Sequence, residues 1–120
     1  MGIIQHNSII VSGNTAFEED FQKVYDFANN LFGSLVTPII TTDLNRYTFF
    51  FVAPDGSKEG WAESDSGDEN RKQLCDYIDS LVFEDGSNGI NYVDVSHGEY
   101  GAMIKRTNEI DYYGESEGEQ

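Results

Sequence analysis

The sequence predicts an α+β domain of the ferredoxin-like type: β-α-β-β-α-β, with two helices on one face of an antiparallel sheet. Three observations carry this. Two stretches repeat apolar residues at helical spacing, β-rich runs stand before, between and after them, and 120 residues suits one domain with one core. Extra short strands can follow the third and the last predicted strand. Residues 1–107 make the predicted domain, and residues 108–120 an acidic tail expected to be flexible.

The elements follow in order. "SIIVS", residues 8–12, is a β-branched run bounded by Asn7 and by Gly13 and Asn14, the pattern of a buried strand. In "TAFEEDFQKVYDFANNLFG", Phe17, Phe21, Val24, Tyr25, Ala28, Leu31 and Phe32 share one helical face. Thr15 with Glu18 fits a capping box, and Gly33 is a C-terminal stop. "LVTPIITTDL", residues 35–44, is β-rich, but Pro38 has no N–H for a ladder bond, so this strand is an edge or begins after the proline.

"RYTFFFVA", residues 46–53, is the strongest strand signal, and its unbroken apolar run predicts a central position. Pro54, Asp55 and Gly56 have tight-turn chemistry, after which "SKEGW" could return as a short strand. The second helix is read from "SGDENRKQLCDYIDSLVF". Leu74, Ile78, Leu81 and Val82 share its apolar face, with Ser66 and Glu69 as a capping box. "INYVDVSH" alternates as a half-buried strand, "GEYG" turns it, and "AMIKRT" pairs back.

Charge is the main functional signal. Twenty-two acids stand against seven bases, for a net charge of -15. Contact with phosphate backbones or anionic lipid needs Lys and Arg, so direct binding of nucleic acid or membrane is not expected. A basic partner, such as a nucleic-acid-binding protein, fits this balance, although acids also serve plain solubility. The start lacks the basic segment of a signal peptide, and Asn7 stands where a myristoylation signal needs Ser or Thr. No apolar run approaches the ~20 residues of a membrane span, so a cytoplasmic protein is expected. One cysteine, Cys75, precludes an intrachain disulfide.

Residues 49–71, "FFFVAPDGSKEGWAESDSGDENR", look most like a site. A phosphate loop fails because Lys58 precedes the second glycine and Glu59 would repel phosphate. A calcium loop fails because Asn70 stands where the glycine belongs. Glu63, Asp65 and Asp68 could make a looser cation site, but acids at a helix start also complement its dipole. Trp61 either covers the end of the core or is a binding anchor.

Catalysis is not expected. His6 and His97 lack metal-ligand spacing, Ser12, Ser57 and Ser96 lack a nucleophile-elbow context, and Cys75 follows core Leu74 as a semi-buried thiol. No metal or cofactor is expected either. Two binding readings stand instead. In the first, the helices present an acidic surface of Glu18, Glu19, Asp26, Asp68, Glu69, Asp76 and Asp79. Carboxylates three or four residues apart lie about 5–6 Å apart at Cβ, a spacing similar to the phosphates of DNA. In the second, Trp61, Arg46, Arg71, Lys105 and Arg106 hold a small nucleotide, with Tyr47, Tyr92 and Tyr100 as further stacking candidates. Self-association is left open by both.

"HNSIIVSGN", residues 6–14, and "APDGSKEGWAESDSGDENR", residues 53–71, resemble segments of small bacteriophage-encoded proteins. That resemblance implies a protein made in the host cytoplasm during infection. It also implies an inhibitor of host defence: an anti-CRISPR-like protein, a DNA mimic, or a sponge for nucleotide signals. It carries over no site residues. The expected function is therefore binding and inhibition of a host protein through the acidic surface, with the nucleotide sponge as the alternative.

Overall fold

A computed structural model describes residues 3–58, 60–83 and 88–109. The chain runs β1 (Gln5–Asn14), α1 (Glu18–Phe32), β2 (Ile40–Thr41), β3 (Tyr47–Val52), α2 (Ala62–Asp79), β4 (Ile90–Gly98) and β5 (Met103–Thr107), with short 3-10 turns on either side of α1. This is an α+β fold with two helices and one five-stranded antiparallel sheet, ordered β2-β3-β1-β4-β5.

Alternation along the strands explains the core. Ile9 and Val11 of β1, Phe50 and Val52 of β3, and Ile90 and Tyr92 of β4 point to one side. Phe21, Val24 and Ala28 of α1 and Leu74, Cys75 and Ile78 of α2 pack onto them as a single cluster. Both helices therefore cover the same sheet face. Phe21 and Tyr25 meet Phe50 edge-on, and Phe27 stacks on Tyr77 at 4.5 Å, joining the helices to sheet and to each other.

Several local expectations are corrected. α1 is entered through a 3-10 turn over Thr15–Phe17, and the capping side chain is Asn14, whose Oδ1 accepts from the Ala16 N–H at 2.9 Å. β1 reaches Asn14, so the chain must turn one residue earlier than the Thr15 box supposes. α2 begins at Ala62, four residues ahead of Ser66, because Gly60 takes φ 94 and the Trp61 carbonyl accepts from the Ser64 and Asp65 N–H groups. Glu63 and Asp65 then lie in its first turn, where the dipole favours them.

Residues 53–58 form no return strand. The sheet centre is β1, not β3, which lies between β1 and the short edge strand β2. β2 begins after Pro38, while Val36 makes an isolated bridge to Val52. α2 closes at Asp79, leaving Leu81 half-buried and Val82 exposed beyond it.

Asn108, assigned by sequence to the tail, is held on β4: its Oδ1 accepts from Tyr92 N at 3.0 Å and its Nδ2 donates to Ile90 O at 2.9 Å. The remainder of the expected tail, from residue 110, lies outside the described residues.

Candidate functional site

The acidic surface is built by the outer sides of α1 and α2. Glu18, Glu19, Asp26 and Glu69 are exposed and make no ion pair among the described residues. Asp26 accepts from Gln22 at 3.0 Å and Glu69 from Gln73 at 3.5 Å, one helical turn apart in each case.

The other three acids are occupied. Asp68 pairs with Arg71, Asp76 with Lys72 (2.9 Å) and Arg106 (2.8 Å), and Asp79 with Arg106 (2.9 Å) and the Tyr92 hydroxyl (3.0 Å). Hydrogen bonds from Arg106 and then Lys72 hold the Asp76 carboxyl below its ordinary range. Helical spacing allows Asp68–Arg71 (i,i+3) and Lys72–Asp76 (i,i+4), but it does not reveal Arg106, which arrives from β5.

The basic residues do gather, in part. Arg71, Lys72, Lys105 and Arg106, four of the seven bases in the chain, line an open cleft of about 360 Å³ between α2 and β4–β5. A register shift between Asp94 and Val95 helps explain this: an extra residue in β5 lets the consecutive Lys105 and Arg106 both border the cleft. Arg106 also lies 5.8 Å from the centre of the Tyr92 ring.

Asp94 borders the same cleft, and its Oδ1 is buried with no hydrogen-bond partner among the described residues. Burial pushes its carboxyl pKa up, against the pull of Arg71 and Lys105. Cys75 is fully buried rather than semi-buried, and desolvation raises its thiol to about 12, so it is no nucleophile at neutral pH.

Trp61 and Arg46 are placed elsewhere. Trp61 is 48% exposed at the start of α2, so it does not cover the core. Arg46 stands in the β2–β3 turn at φ 49, beside a separate cleft of about 160 Å³ with Glu18 and Phe21. Tyr92 is buried, so it offers no open face for stacking. The five residues of the nucleotide reading thus divide into one group of three, Arg71, Lys105 and Arg106, and two outliers.

Two features escape motif reading. Asp94 falls in register with Tyr92 and Ser96 on the helix-covered side of β4, a placement that the alternation of "INYVDVSH" already contains. The second feature is the sheet face away from the helices, where Ile10, Ile40, Phe49, Phe51, Val93, Val95 and Ile104 align across the strands. The signal was the apolar run on both parities of β1 and β3. It predicts burial on two sides, yet helices cover only one.

No protein-family model, curated protein or solved structure matches this chain.

Proposed function

We propose that this chain is a non-enzymatic binding protein that engages a basic protein partner through the outer faces of α1 and α2, in the manner of the phage anti-defence inhibitors its sequence resembles. One observation carries this reading: Glu18, Glu19, Asp26 and Glu69 are exposed, unpaired among the described residues, and displayed by two neighbouring helices. Cationic side chains that normally meet nucleic-acid phosphates can meet such carboxylates instead. The scaffold is read as a split βαβ, with β2-β3-β1-β4 as the ferredoxin-like sheet and β5 added at its edge. The host cytoplasm is the compartment this role requires.

The test is capture from a bacterial lysate by the wild-type chain and by the triple variant Glu18→Gln, Glu19→Gln, Asp26→Gln. Gln avoids placing cations against the positive end of α1. A nucleic-acid-binding protein retained by the wild type, released by duplex DNA and reduced at least about tenfold with the variant, roughly 1.4 kcal/mol, supports the reading. Equal retention by both chains, or release unaffected by DNA, overturns it.

A second reading rests on the α2–β5 cleft. Lys105 is unpaired among the described residues and suits a phosphate oxygen, with Arg71, Lys72 and Arg106 beside it already bonded to Asp68, Asp76 and Asp79. The buried Asp94 Oδ1 has among the described residues no donor of the kind a sugar hydroxyl or base amino group would provide. Native mass spectrometry of the protein recovered from lysate tests it. A small mass increment lost in Lys105→Ala supports the cleft, and an increment unaffected by that change removes it.

A further inference from the structure

We infer that the uncovered sheet face is the contact surface for a second copy of this chain, the two sheets packing face to face across a twofold axis at β1. This goes beyond the proposed function and does not depend on it.

The face carries an apolar band open to water, flanked on β1 by Ser8 and Ser12 and closed at one end by the His6 and His97 rings, 5.2 Å apart. Ile10 at its centre is 43% exposed, and Ile40 and Ile104 at its two edges are 61% and 65% exposed. Register places Phe51, Ile10 and Val93 in one row across three strands, with Val95 and Ile104 in a neighbouring row. Exposed apolar patches of this extent mark interaction surfaces in soluble domains.

Charge selects the occupant. The described strand side chains on this face include no Asp, Glu, Lys or Arg, although the chain carries 22 acids and 7 bases. A basic partner would find no counter-charge here. For a second copy at -15, this is a face on which two chains can meet without opposing carboxylates.

Shape agrees with self-pairing. A twofold axis along β1 sets β3 of one copy over β4 of the other, and β2 over β5. The large Phe51 then faces the smaller Val93 in the Ile10 row and Phe49 faces Asn91 in the Ser12 row, while Ile10 meets its own equivalent at the axis. The strands of 10, 2, 6, 9 and 5 residues, at about 3.3 Å per residue and about 4.8 Å spacing, give about 500 Å² per copy. Doubled, that is about 1,000 Å², at the threshold for a specific interface.

Sedimentation equilibrium at low and high salt tests this on the full chain, with Ile10→Lys and Ile104→Lys as variants. The expected mass is twice 13.5 kDa, retained or strengthened in high salt because salt screens the repulsion between acidic copies. Each lysine variant should return to the single-chain mass with an unchanged circular dichroism spectrum. Should a lysine variant misfold, Ile10→Cys with a short bis-maleimide provides an independent readout. Its introduced thiols should cross-link two chains, while the buried Cys75 stays unreacted. A single-chain mass at all concentrations, a doubled mass that survives both lysine variants, or a face that takes up lipid vesicles or a foreign protein while the chain remains monomeric overturns the inference.

Discussion

Arg106 on β5 and Asp79 on α2, 27 residues apart in the chain, meet at 2.9 Å, and the same guanidinium bonds Asp76 at 2.8 Å. Through this fork the edge strand is tied to the second helix. Although burial works against the cation, the two carboxylates push the pKa of Arg106 upward. The contact also removes two carboxylates from the acidic surface, so a reversal of Asp76 or Asp79 would disturb packing as well as charge.

Arg106→Gln should lower stability by about 1 kcal/mol at pH 7, a figure already discounted for solvent screening of partly exposed pairs. The folded-state pKa of Asp76 is depressed, so its contribution is complete above the ordinary carboxylate value of about 3.9 and fades as pH falls through the lower folded value. Urea midpoints of variant and wild type should therefore differ at pH 7 and converge in acid.

Asp94→Asn should act with the opposite sign. Burial raises the folded pKa of Asp94, so its carboxylate costs stability above that value and nothing below the unfolded value of about 3.9. The variant should melt higher than wild type at pH 7 and lose that advantage in acid. A lower midpoint at pH 7 would mean that Asp94 is held ionised by the cleft bases.

Ile9 and Ile10 are neighbours on β1 with opposite fates, 0% and 43% exposed. Ile9→Ala should cost about 2–5 kcal/mol, because it empties the centre of the core. Ile10→Ala should change the stability of the single chain by less than about 1 kcal/mol. Denaturation at a protein concentration too low for self-association measures both.

Cys75 should resist thiol reagents at pH 8 in the native protein and react at once in denaturant. Its burial and a pKa near 12 leave almost no accessible thiolate. Labelling at the global unfolding rate is expected; rapid native labelling would show that α2 opens locally.

Local patterning was enough for the two helices, the strands and most of the core. Phe21, Val24 and Ala28 recur at helical spacing, and Leu74 and Ile78 lie one turn apart, so the buried sides of both helices were legible before any contact was known. Pairs within one helix, Asp68–Arg71 and Lys72–Asp76, follow from i,i+3 and i,i+4 spacing, but the partners that Asp76 and Asp79 find on β5 do not.

Charge pairing between elements depended on which of them the sheet brings side by side. The antiparallel return of β5 places Arg106 against Asp76 and Asp79, and a bulge at the Asp94–Val95 step helps set Lys105 beside it. The role of the Phe49 and Phe51 face was equally beyond local reading. An apolar strand states only that burial is favourable; the packing of both helices onto the opposite side decides which face still lacks a cover.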